Sequence, residues 1–386
     1  MILSPQYLQL ALVLLGCMAT LSVGNPVNNV THPRALPVIN HWAALGDSYS
    51  AGPGAGDVID DGSPKCYRCT QSYPSQLNNN TGMIGAPRTF EFVGCSGART
   101  PDIQQQILKV SPDVQIATLT IGGNNVGFFR VLNACIYRFY GARSGDCQTE
   151  INQANTHLAS QDFPKEVTDA ITTIMTKVPS TGFRLYVTGY AQFFNAATDQ
   201  CDQASLGFWR LSQPLLTKAL RAQINTAVQA LNVALKAIVD TYFKGDPRVV
   251  FIDYDPDMET HRWCEEGTIE PMPNNPNNWI FDNIFRDPKQ LIANNIDATT
   301  CEKGLVSESA WDKLINCYIA LAIRDVATSG IAAPDGSTPI APRLVGDGSG
   351  DPFGVGAART FHLKPDGYKA VQNRILNAIN NVAPAR

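Results

Sequence analysis

The chain has no excess of positive charge: Lys and Arg total 30 against 34 Asp and Glu, a formal net charge of -4. Binding to nucleic acid rests on clustered Lys and Arg, so that class of partner is excluded as an expectation. Beyond residue 24 no apolar run is long enough to span a bilayer, so no stable membrane insertion is expected. Histidine is scarce, at 5, and no second Cys or His pair of zinc spacing accompanies Cys66-x-x-Cys69. No metal or other cofactor is expected. Internal repeats are lacking too, and Gly52-x-Gly54-x-Gly56 does not have dinucleotide-loop spacing, with Pro53 interrupting it.

What is present begins with length. A chain of 386 residues buries a substantial core as one large domain or two small ones. Leu8 to Val23 is apolar but short, with Ser22 and Gly24 suited to a signal peptidase, so residues 1–24 are expected to be a removed secretion signal. Residues 25–37 then form a flexible lead into a domain over 38–386. The chain has 10 cysteines, of which Cys17 falls in the signal. In an extracellular, oxidising compartment the rest are mostly disulfides. Sequential pairing joins Cys135 with Cys147, Cys201 with Cys264 and Cys301 with Cys317, though spacing does not fix connectivity, and one thiol is left over. Asn29-Val30-Thr31 and Asn79-Asn80-Thr81 are glycosylation sequons. A monomer is expected.

Short apolar runs at Val38 to Leu45, Phe90 to Val93, Val114 to Ile121, Phe183 to Thr188 and Val249 to Ile252 have the length and flanks of buried strands. Between them lie helical patterns, clearest at Phe163 to Lys177 and Gln213 to Phe243, where Leu216, Leu220, Ile224, Val228, Leu231 and Leu235 recur at helical steps. Strands alternating with helices predict an α/β fold with a mostly parallel sheet covered on both faces. From about 266 to 356 the periodicity fades into Pro, Asn, Asp and Gly, apart from a helical stretch at Ser309 to Thr328. That segment is expected to be an insertion over or beside the site, and Gly367 to Val382 a closing helix.

Sites in parallel sheets lie beyond the carboxyl ends of strands. Ser48 stands there, in Gly46-Asp47-Ser48-Tyr49-Ser50 after the first run. A tight turn there lifts its hydroxyl to the sheet rim with the backbone N–H free. Gly97 follows the second run in Gly94-Cys95-Ser96-Gly97-Ala98, and its N–H is a candidate oxyanion donor. Asn124 follows the third in Gly122-Gly123-Asn124-Asn125, where a side-chain amide offers another. His362, in Thr360-Phe361-His362-Leu363-Lys364-Pro365, supplies a base before the last helix. Ser96 is the rival nucleophile, one residue short of Gly-x-Ser-x-Gly. Tyr73, Phe193, Phe194 and Trp209 are candidates to line an acyl groove, with packing as the alternative, and His261 beside Trp263 is as well suited to structure as to the site.

These four blocks, in this order, resemble the SGNH or GDSL-type hydrolases and their secreted esterase branch, over roughly 40–265 and 357–383. The resemblance implies a three-layer α/β/α sandwich, Ser48 as nucleophile and His362 as base. It implies an oxyanion hole from the N–H groups of Ser48 and Gly97 and the Asn124 amide, and a Cys66–Cys95 bond leaving Cys69 as the spare thiol. Two positions depart from the family. Asn125 stands where an Asp is usual, and Arg359 stands three residues before the histidine, where the family's acid is common. A Ser-His dyad is therefore expected, with the Arg359 backbone carbonyl orienting the imidazole and Asp347, Asp351 and Asp366 in loop or capping roles. The expected function is a secreted serine ester hydrolase, acting through an acyl-enzyme on a small ester, a lipid or an acylated glycan. The alternative is a catalytically silent glycan-binding or surface protein on the same scaffold, and a nucleotide-binding α/β protein is a distant third.

Overall fold

His41–Gly46 carries the sequence HWAALG, and all but its first residue are buried, as befits a strand covered on both faces. In the computed structural model this is β1, the strand around which the site is organised. The structure describes residues 38–63, 66–83, 85, 87–138, 145–207, 214–272, 275–282 and 359–381. The leader, the Cys301–Cys317 pairing, the Ser309 to Thr328 helix, Trp209, Asp347, Asp351 and most of the expected insertion lie outside the described residues.

β2 (Thr89–Phe92), β3 (Ile116–Thr120), β4 (Arg184–Thr188) and β5 (Val249–Ile252) complete a five-stranded sheet of order β2-β1-β3-β4-β5. Every pairing is parallel. The chain leaves β1 toward β2 and returns to the other side of β1 as β3, so the strand order reverses between β1 and β3. A crevice opens at such a reversal, at the carboxyl ends of the strands.

Helix α1 (Ser48–Ala51) is a single turn after β1, followed by α2 (Tyr73–Asn78), α3 (Ile103–Ile107) and α4 (Phe128–Leu132). α5 (Cys147–Ala159), α6 (Asp162–Lys177), α7 (Lys218–Tyr242) and α8 (Pro365–Asn381) are the longer helices. α8 packs on α2, whereas α6 packs on α3 and α7, and α5 on α7. Right-handed crossovers put these two groups on opposite faces of the sheet, giving three layers. Ile224, Val228, Leu231, Leu235 and Ile238 form the buried stripe of α7. Each such side chain removed from water contributes about 1.5–3 kcal/mol.

Three disulfides staple the layers to their loops: Cys66–Cys95, Cys135–Cys147 and Cys201–Cys264. Cys69 is a free, buried thiol. Among the described residues no helix is long and apolar enough to cross a membrane, and no group of three or more His, Cys, Asp or Glu could hold a metal ion.

Candidate active site

Gly46 ends β1 with φ +129, and a Cβ there would lie 2.2 Å from the Thr120 carbonyl oxygen, so only glycine fits. Asp47 N–H donates to that same carbonyl at 2.8 Å, folding the chain tightly over the end of β3. The Asp47 carboxylate then caps α1 by accepting the Tyr49 N–H at 2.9 Å. Ser48 is left at the first position of α1, on the rim.

Its hydroxyl meets His362 across 314 positions of sequence, with Oγ 2.6 Å from Nε2. The imidazole's other nitrogen, Nδ1, lies 3.1 Å from the Thr360 carbonyl oxygen. A carbonyl can only accept, so Nδ1 carries the proton and Nε2 presents its lone pair to Ser48. Burial pushes the imidazole down to about 4, against the opposing pull of the Thr360 and Arg359 carbonyls. The ring is therefore neutral near pH 7.

Two carbonyls act on the ring, Thr360 O at hydrogen-bond distance from Nδ1 and the expected Arg359 O. Arg359 O accepts the His362 backbone N–H at 2.8 Å, closing a tight turn. Phe361 takes up φ +60 in that turn, and Thr360 O lies within hydrogen-bond distance of the ring nitrogen. The Arg359 guanidinium points elsewhere, 4.9 Å over the Phe281 ring. Tyr49 fastens the His362 loop from the Ser48 side: its hydroxyl donates to Phe361 O at 2.7 Å, and its ring lies 4.9 Å from the His362 ring.

Ser48, Gly97, Asn124 and His362 all line one cavity of about 280 Å³. Its apolar wall comes from Phe128, Phe129, Leu132, Phe193, Val228 and Phe361. Gly97 holds φ +81 with open space where a Cβ would be, so backbone conformation rather than crowding calls for glycine. One proton of the Asn124 amide goes to Ala98 O at 2.9 Å, tying the second block to the third. Ser96 lines the same cavity, but its Oγ is buried without a partner. Tyr73 and Phe194 are buried in the core and do not line the cavity. His261 stacks on Trp279 at 3.4 Å, also outside it. A larger open groove of about 510 Å³ runs along α8 by Asp257, Trp279 and Arg374, and it contains none of these groups.

Two features were missed from sequence. Asn125 Nδ2 donates to Thr100 Oγ1 and to Glu166 Oε2, both at 2.7 Å, so a carboxylate from α6 supports the turn where the family's own is absent. Tyr190 donates its hydroxyl to Asp47 Oδ2 at 2.5 Å. Burial drives the Asp47 carboxyl up to about 7, with Tyr190 and the Tyr49 N–H pulling it down. The sequence signals for Tyr190 were its position just after β4 and its place in Gly189-Tyr190-Ala191-Gln192-Phe193-Phe194, a stretch that also resembles the family, but neither pointed to its bond with Asp47.

A serine hydroxyl and a neutral imidazole at the carboxyl edge of a parallel sheet, opening on an apolar cavity, define a hydrolase-type site on a three-layer α/β/α scaffold. The model of the GDSL-like Lipase/Acylhydrolase family matches residues 44–271, and the chain belongs to that family and is an ester hydrolase. Lipase 1 of Streptomyces coelicolor is 30% identical over 234 residues, 58% of this chain and 78% of the relative. A lipase of Streptomyces rimosus is 31% identical over 218 residues, 55% and 72% of the two chains. Among solved structures, phospholipase A1 from Streptomyces albidoflavus NA297 is 25% identical with a TM-score of 0.49, covering 63% of this chain and 87% of that one.

Proposed function

We propose that the protein is a secreted serine esterase of lipase type that works through an acyl-enzyme. The observation that carries this reading is the 2.6 Å contact of Ser48 Oγ with His362 Nε2 inside the cavity that Gly97 and Asn124 also line. In the reaction His362 Nε2 accepts the Ser48 proton as Oγ attacks the ester carbonyl. The imidazolium keeps its Nδ1–H on Thr360 O and returns the other proton to the leaving alcohol. Water then enters and attacks the acyl carbonyl as it gives a proton to the same nitrogen, and that proton passes to Ser48 Oγ as the acyl–oxygen bond breaks and the acid leaves. The N–H groups of Ser48 and Gly97 and the Asn124 amide hold the negative charge that develops on the carbonyl oxygen.

The apolar wall favours esters with an apolar acyl group, in keeping with the relatives named as lipases. Secretion is supported by the apolar leader over residues 1–24 and by three disulfides. The Asn79 sequon is exposed and open to a glycan where the host pathway adds one. The domain is taken to run from 38 to 386, with the segment at about 266–356 inserted before the histidine.

The test is a fluorophosphonate probe together with p-nitrophenyl butyrate hydrolysis. Ser48→Ala should abolish both labelling and turnover, and Ser96→Ala should leave labelling intact. Labelling that survives loss of Ser48 refutes the assignment.

A further inference from the structure

The Tyr190 hydroxyl sits between two backbone segments that must keep their spacing for the proposed chemistry to work. It accepts the Gly123 N–H at 3.0 Å and donates to Asp47 Oδ2 at 2.5 Å. Asp47 immediately precedes Ser48, and Gly123 immediately precedes Asn124. Asn124 reaches on to Ala98 O at 2.9 Å, next to Gly97. One hydroxyl thus closes a network through all three segments that carry the proposed oxyanion donors.

The position of Tyr190 is fixed independently of that network. Asn232 on α7 accepts its backbone N–H at 2.8 Å and donates to its carbonyl at 2.7 Å. Its ring packs edge-on against Tyr49 at 5.1 Å, and a Cβ on Gly123 would come within 3.2 Å of it, so the ring fills its slot. Asp47 is 1% exposed and Tyr190 5%, so their bond is shielded from bulk solvent although both residues border the cavity. Loss of the oxygen would leave a buried carboxyl and a buried N–H each short of a partner, and both would relax by moving the turns they belong to.

We infer that Tyr190 is a positioning residue that sets the distance between the Ser48 turn and the Gly123-Asn124 turn, and so aligns the oxyanion donors with the nucleophile. The inference rests on the reading of Ser48 and Asn124 given above. A hydroxyl in this role acts on the transition state, where the oxyanion forms, and hardly on ground-state binding of the ester.

The experiment is a double-mutant cycle on p-nitrophenyl butyrate with Tyr190→Phe, Asn124→Ala and the pair, with Tm measured for each. Tyr190→Phe should lower kcat about tenfold to a hundredfold while KM stays within about twofold. In the Asn124→Ala background the same change should cost less than about threefold, because the donor it aligns is already gone. Unchanged kcat in Tyr190→Phe, or losses that multiply independently, overturns the inference. If Tyr190→Phe does not fold, Asn232→Ala takes its place in the cycle, since it loosens residue 190 without touching the buried hydroxyl pair. The same pattern is then expected with a smaller fall, and additivity again overturns the inference. Ser48→Ala separates the two levels: retained phosphonate labelling there defeats the site itself, whereas lost labelling with an additive cycle defeats the role of Tyr190 alone.

Discussion

Burial moves His362 and Asp47, on either side of Ser48 in the site, in opposite directions, and each shift has a measurable sign. His362 goes down to about 4 because the interior disfavours the imidazolium. A general base must be unprotonated, so kcat/KM for a small ester should lose half its value near pH 4 rather than near the ordinary 6.5, read by pH-stat; a half-point near 6.5 contradicts this assignment. The same shift enters stability. Between the folded value of about 4 and the unfolded 6.5 the native state holds fewer protons, so this group's contribution is lost as pH falls through that window. The Tm of His362→Asn relative to the parent should therefore rise as pH drops from about 6.5 to about 4. Asp47, raised from 3.8 to about 7, has the reverse sign: its contribution is lost as pH climbs from 3.8 through 7. Asn124→Ala should cost about 100- to 1,000-fold in kcat with little change in KM; an effect falling mainly on KM removes the amide from the oxyanion hole.

Elements were legible in the sequence where burial on both faces leaves a nearly continuous apolar run. That condition holds for β1 and β3, and the expected runs at 38–45 and 114–121 overlap the observed strands. Contacts between elements were not legible, because local pattern carries no record of which distant side chains meet. Asn125 shows the difference. From sequence it was a missing carboxylate, but folding brings Glu166 to it from α6, 41 positions away. The second carbonyl at the imidazole, Thr360 O beside the expected Arg359 O, was missed for a related reason: it depends on the left-handed Phe361, a conformation that nothing in Arg359-Thr360-Phe361-His362 advertises. The Asn125–Glu166 pair makes its own prediction. Asn125→Asp restores the family's residue yet sets two carboxylates against each other and removes a donor shared by Thr100 and Glu166. Stability at neutral pH should fall by about 1–3 kcal/mol, and Glu166→Gln in the same chain should recover much of it. A stabilised Asn125→Asp single variant, by thermal melt, would contradict the pairing.

Across the whole molecule the site depends on joining the two ends of the domain, since Ser48 lies at the first strand and His362 just ahead of the last helix. α8 packs on α2, and Phe361 and His362 are reached by Tyr49 from the opposite end of the chain. The order of the sequence blocks foretold this meeting, whereas the course of the chain between them had to come from the fold. Two of the three disulfides contrast on the same scale. Cys201–Cys264 closes a separation of 63 residues away from the cavity, and Cys135–Cys147 closes only 12. Loop-closure entropy makes the first worth about 4 kcal/mol and the second about 3. Function should rank them the other way. Cys135 lies in the turn Asn133–Tyr137, whose Tyr137 lines the cavity and packs 5.9 Å from Phe361, the neighbour of His362. Replacing both cysteines of the longer loop by serine should lower Tm more yet leave the ratio of butyrate to octanoate ester hydrolysis unchanged. The same replacement at Cys135 and Cys147 should lower Tm less and shift that ratio, because the wall it anchors borders the acyl space. An unchanged ratio in the Cys135 and Cys147 variant would mean that this wall does not contact the acyl chain, and the acyl pocket would then have to be sought on the Phe193 and Val228 side of the cavity.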